Sequence, residues 1–145
     1  MKRTFTKFLV LALLAVTSFT ACKKSSNDVL TVTKDNLAAT YTIISVKAKA
    51  PNTPEQDVTS SNFDACEMDD QIILKNDFTA TYVDAGTQCS PVGGGSDVWA
   101  YNNGILTIAG EDFTVKSLTR GTLVLEQTAN ISGFVVTVTS TYRRY

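Results

Sequence analysis

The chain has 145 residues, 13 Lys plus Arg against 14 Asp plus Glu, three cysteines and no histidine, with 43% of residues hydrophobic and 19% charged. That is ordinary globular composition with room for one domain. A complete lack of histidine excludes Ser-His-Asp and Cys-His nucleophilic sites, His-ligated zinc and an imidazole general base, and a net charge of −1 offers no electrostatic footprint for nucleic acid.

At the N-terminus Lys2, Arg3 and Lys7 precede an unbroken apolar run from Phe8 to Val16. Nine apolar residues fall well short of the roughly 20 needed to cross a bilayer as a helix, so residues 1–21 read as a secretion signal rather than a permanent span. The run ends in Phe19-Thr20-Ala21-Cys22, which resembles the lipobox of bacterial lipoproteins, with Phe19 where that motif usually has an aliphatic residue. The resemblance implies cleavage before Cys22 and acylation of its sulfur; the alternative is an ordinary signal peptide cut near Ala21. Two or more acyl chains suffice for stable anchoring. Cysteine parity agrees with acylation, because it leaves Cys66 and Cys89 as an even pair.

Residues 22–36 then read as acylated cysteine and tether, opened by Lys23-Lys24-Ser25-Ser26-Asn27-Asp28, which lacks periodicity. Surface-exported lipoproteins of some Gram-negative groups carry acidic residues after the cysteine. Lys23 and Lys24 do not resemble that signal, which points to the periplasmic face of the outer membrane; attraction of both lysines to anionic headgroups is the other reading.

From residue 37 to 145 the pattern is all-β, with short β-branched and aromatic runs, turn residues between them and no long helical stripe. Thr40 to Ala48 opens it. Gln71 to Leu74 and Phe78 to Val83 flank Lys75-Asn76-Asp77 as a hairpin, and Asp57 to Ser61 is a doubtful strand. Gly93-Gly94-Gly95 lacks the Lys and Ser or Thr of a phosphate loop and reads as a flexible loop. Residues 97–101 and 105–109 pair across Asn103-Gly104, whose positive φ preference suits a type I′ turn. Phe113 and Val115, then Leu123 and Leu125, then Phe134, Val136, Val138 and Tyr142 each alternate with polar neighbours, with Thr137, Thr139, Thr141 and Arg143 on the wet face of the last run. Seven or eight hairpin-linked strands favour closure into a small up-and-down antiparallel β-barrel of about eight strands, since closure removes unpaired edges; a β-sandwich is the alternative.

The order Leu37-Ala38-Ala39-Thr40-Tyr41, Cys66 with Asp69 to Leu74, Cys89, Trp99 before Asn103-Gly104, Leu118 to Leu125 and Tyr142-Arg143 resembles the lipocalin-like domain of small bacterial lipoproteins. Ala39 stands where that pattern usually has Gly. The resemblance implies a barrel with an interior ligand cavity, and its residues transfer as structural ones only.

Cys66 and Cys89, in an oxidising compartment, are expected to form a disulfide that clamps the Gly-rich segment to the barrel. Asp64, Glu67, Asp69 and Asp70 offer oxygen ligands for Ca²⁺ but lack the Asp-x-Asp-x-Asp-Gly order, so a solvated turn is favoured and no metal or other cofactor is expected. The same carboxylates show no spacing that would make a glycosidase pair, so no enzyme is expected. Tyr41, Tyr82, Trp99 and Tyr101 are the side chains best suited to line a cup, though in a barrel this small they also serve as core. The function expected is a membrane-anchored module binding a small apolar or amphipathic ligand, the alternative a non-catalytic envelope protein with a filled barrel that meets protein partners. A cavity of about 300 Å³ or more separates the two.

Overall fold

The computed structural model describes residues 28–131 and 133–145; the expected signal sequence, Cys22 and the first part of the tether lie outside the described residues. Strands run β1 Thr40–Lys49, β2 Gln56–Asp57, β3 Gln71–Leu74, β4 Thr79–Val83, β5 Gly94–Asn102, β6 Ile105–Ile108, β7 Glu111–Leu118, β8 Thr122–Ile131 and β9 Phe134–Arg144, with one-turn helices α1 Lys34–Leu37 and α2 Thr59–Asn62. Every strand pairs antiparallel with its neighbour in the order β2-β1-β3-β4-β5-β6-β7-β8-β9, and β1 also pairs with β9. Eight strands therefore close into a ring, with β2 hanging from the far half of β1. The closure removes the sandwich alternative.

Local sequence accounts for most turns. Asn103 and Gly104 hold φ values of 47° and 88°, so the β5–β6 hairpin turns where Asn-Gly favours it. Two bulges retune the alternation. One between Ile43 and Ser45 keeps Ile43 and Val46 buried, and one between Val115 and Ser117 lets both Val115 and Leu118 face inward across β8. The Gly-rich segment departs from expectation: Gly94 and Gly95 belong to β5 and pair with Val83 and Tyr82 rather than forming a loop. Pairing with β4 outweighs the low strand preference of glycine there. The doubtful run 57–61 divides into the end of β2 and most of α2, whose Thr59 Oγ1 accepts from Val46 N at 2.8 Å and so covers an edge of β1 that β3 is too short to reach.

One end of the ring is sealed. Leu30 N donates to Leu118 O at 2.9 Å, Val29 bridges Thr119, and Thr33 caps α1 by accepting from Asn36 N at 3.2 Å. Leu37, fully buried, is thereby set against Tyr41, Leu74, Ala80, Trp99, Leu106, Leu118, Leu123 and Leu125. The packed fold thus takes in residues 28–36, upstream of the Leu37 start of the strand pattern. The other end carries the longer connections, including residues 50–70 and 84–93.

Candidate functional site

The inward-facing side chains form a packed floor at the sealed end and a polar mouth above it. Tyr41 and Trp99 belong to the floor, each only 2% exposed. The Tyr41 hydroxyl donates to Leu37 O at 2.8 Å and the Trp99 indole N–H to Lys75 O at 2.8 Å, so each polar tip is satisfied by the backbone that closes the barrel. Phe78 tilts against Trp99 at 5.7 Å between ring centroids, and the Lys34 ammonium lies 4.7 Å from the centre of the Phe78 ring. Tyr101 is half-buried against the same cluster. Arg144 joins them beside Tyr41 and donates from Nη2 to Asn36 O at 3.0 Å.

Burial pushes the Tyr41 hydroxyl up from 10.0 to about 12, against the opposing charge and hydrogen bond of Arg144. An unfolded tyrosine ionises near pH 10, so between pH 10 and about 12 the folded chain holds this proton more tightly than the unfolded one. The stability contributed is complete below pH 10 and is lost as pH rises through 12, by about 2–3 kcal/mol in total. Urea midpoints between pH 9 and pH 12 should fall steeply for the native chain. In Tyr41→Phe they should fall less, leaving the smaller slope that comes from Tyr82 and Tyr142; equal slopes would contradict the assignment.

The void enclosed by Tyr41, Ile72, Leu74, Ile108, Leu123, Leu125 and Tyr142 is about 10 Å³, one water's worth at most. The floor is filled. Above it, Tyr82 stands opposite Ile72 and Gly95 and Asp97 opposite Ala80, while Tyr142, opposite Leu123 and Ile43, lines the floor void itself; all lie on the inward register. Burial raises the pKa of Tyr82, with Asp97 adding to the effect; burial likewise raises Tyr142, opposed by a hydrogen bond from Ser140 and helped slightly by Tyr82. Both hydroxyls therefore stay neutral at physiological pH. A recess of about 230 Å³ opens beside Tyr82, lined by Phe63, Glu67, Ile72, Asp84 and Gly94 among others. Larger hollows of about 480 and 610 Å³ lie outside the barrel wall, against the 57–71 segment.

The rim of the recess is held by the Cys66–Cys89 disulfide, with Cα atoms 5.4 Å apart. Beside it the acidic side chains cap backbone amides. Asp84 accepts from Cys89 N and Gly93 N at 3.3 and 2.8 Å, Asp70 from Ala85 N at 3.1 Å, Asp69 from Thr87 N at 3.0 Å and Glu67 from Asp64 N at 2.7 Å. Gly86 turns this loop at φ 61°, and the Asp69 carboxylate occupies the place a Cβ would take. Asp70 and Asp84 converge on Cys89, but that sulfur is spent in the disulfide.

Of the four aromatics singled out from sequence, Tyr41, Trp99 and Tyr101 come together in the floor and Tyr82 faces the mouth. Tyr142 faces inward as the alternation of the last run predicts, whereas Asp97 and Arg144 were missed as inward-facing groups. Alternation alone places Asp97 with Trp99 and Arg144 with Tyr142, so the signal was present. It was masked because charged residues are ordinarily assigned to the wet face.

A family profile described as the lipocalin-like domain matches residues 37–125, from Leu37 of α1 to Leu125 of β8. No curated protein and no solved structure matches the chain. The matched segment spans more than half of the 145 residues and supplies six of the eight ring strands in full with the start of β8, the rest of β8 and β9 completing the closure beyond it. By this match the chain belongs to the lipocalin-like domain family.

Proposed function

We propose that the protein is a non-catalytic binding module, lipid-anchored through Cys22 on the periplasmic face of the outer membrane, that takes a small amphipathic molecule at the mouth of its barrel. The observation that carries this reading is the change of lining along the barrel axis. Below, Tyr41, Trp99 and Tyr101 fill the space and support the walls; above, Tyr82 and Ile72 edge a recess of about 230 Å³ into which Tyr82 brings a neutral hydroxyl. That volume falls short of the about 300 Å³ that separates the two readings, and Tyr82 is the one aromatic of the four that lines it, so the binding reading rests on the mouth alone and requires a compact ligand. Glu67, Asp84 and Asp97 around the opening disfavour an anionic headgroup by like-charge repulsion. The chain enters at the sealed end, which leaves the mouth directed away from a tether on residues 22–27.

The void of about 10 Å³ in the floor favours a second reading, an envelope protein whose filled barrel presents only its surface to protein partners. Native mass spectrometry of the protein purified from its own membrane separates the two. Acylated Cys22 and a dissociable small molecule, lost in Tyr82→Ala, is the expected result. An acylated chain free of ligand would overturn the binding reading in favour of the scaffold, and an unmodified N-terminus would overturn the anchor.

A further inference from the structure

β8 and β9 are the longest strands of the ring together with β1, and their hairpin extends past its neighbours. The β7–β8 ladder ends at Thr114 and Glu126, whereas β8 continues to Ile131, paired on its other side with β9 down to Phe134. The first residues of β7, Glu111 to Phe113, pair only with β6. Between the separating strands lies a recess of about 140 Å³ lined by Asp112, Thr114, Glu126, Gln127 and Thr128. Among the described residues, the edge of β8 from Gln127 to Ile131 therefore has no strand beside it.

Exposed edges in natural sheets are ordinarily blunted by charge, proline or a bulge, because a bare row of N–H and C=O groups recruits other strands. Here none of these devices is present. From Gln127 to Tyr142 the sequence holds no Asp, Glu, Lys or Arg and no Pro, in a chain that is 19% charged. The β8–β9 register runs without a shift through the whole hairpin. Asp112, the nearest carboxylate on the β7 side, is turned to Thr107 Oγ1 at 2.6 Å.

We propose that this edge pairs with the same edge of a second copy of the chain, β8 against β8 and antiparallel. Two identical strands related by a two-fold axis make an isologous antiparallel pair without further adjustment of sequence. A strand carrying charge would find no counter-charge between Gln127 and Ile131, whereas a neutral copy meets a neutral copy. With the axis at Ala129, Thr128 of each copy faces Asn130 of the other, a polar, uncharged cross-strand pair on the solvent face. The pairing converts two unfilled edges into one continuous sheet across both barrels.

The test uses the full chain in density-matched detergent, so that sedimentation equilibrium reads protein mass alone. The native chain is expected to show a concentration-dependent rise to twice the monomer mass. Hydrogen exchange should slow at 127–131 in the dimer. Thr128→Lys with Asn130→Lys, and separately Thr128→Glu with Asn130→Glu, each place like charges opposite one another and should weaken association at least tenfold. Mixing the two variants should restore a heterodimer, which also shows that neither change has unfolded the hairpin. A native chain that stays monomeric at high concentration would overturn the proposal. So would a dimer indifferent to both charge patterns, which would locate the interface elsewhere, or an edge protected only on adding phosphatidylglycerol vesicles, which would make lipid its occupant.

Discussion

Trp99→Ala is expected to destabilise the domain by about 3–5 kcal/mol, a large share of the 5–15 kcal/mol that holds a domain of this kind together. Three losses coincide at this position. The indole is among the largest fully buried side chains, its removal leaves a cavity in a packed floor where the void beside Tyr41 is about 10 Å³, and Lys75 O loses the N–H that satisfies it. Phe78, held at φ 67° with its ring against Trp99, loses its packing partner as well. Trp99→Phe should cost much less, about 1–3 kcal/mol, since it keeps most of the ring and forfeits chiefly the hydrogen bond and part of the volume. Because Trp99 is the single tryptophan, the comparison must be made by urea unfolding followed with circular dichroism rather than fluorescence. A loss below 1 kcal/mol for the alanine variant would mean that the floor collapses around the gap.

Removing the disulfide as Cys66→Ser with Cys89→Ser is expected to cost on the order of 3 kcal/mol, from the chain entropy of a loop closed across 23 residues. Its effect should be spatially uneven. The amides of Ala85, Thr87 and Gly93 depend on carboxylates that the crosslink holds in place, so their hydrogen exchange should rise out of proportion to the global loss. Floor amides around Leu106 and Leu123 should rise only with global unfolding. Reduction of the native protein by dithiothreitol should reproduce both effects. Uniform acceleration throughout would show that the crosslink acts on the whole ring and not on the rim.

The β-strands were legible because most bury one face, so Leu123 and Leu125, and Val136 with Tyr142, display their alternation openly; Phe134, placed by the same pattern on the dry face, is instead exposed at the start of β9. The Asn103-Gly104 turn and the pairing of Cys66 with Cys89 were legible for equally local reasons, a backbone preference and a parity argument. Two features were not. α1 is four residues long, too short to show a helical period, and Leu37 gains its place as the plug from the strands that surround it. Depth was the other. Alternation says that Tyr41, Tyr82, Trp99 and Tyr101 all point inward, but the strand stagger decides which of them lie in the floor and which reaches the mouth. Stagger depends on long-range register, which no short window of sequence contains.

The seam between β1 and β9 has a kinetic consequence. Tyr41 finds its partner in Arg144, at the far end of the chain, while nearly every other strand pairs with the next one along. Hairpins can therefore form as the chain emerges, but the ring stays open until its last strand is made and threaded into place. Closing so long a loop is entropically costly before any contact rewards it, which assigns the final step to the slow, millisecond-to-second range of folding. Until then β1 and β8 each wait with a bare edge, and the domain is most vulnerable to aggregation just before β9 closes the ring.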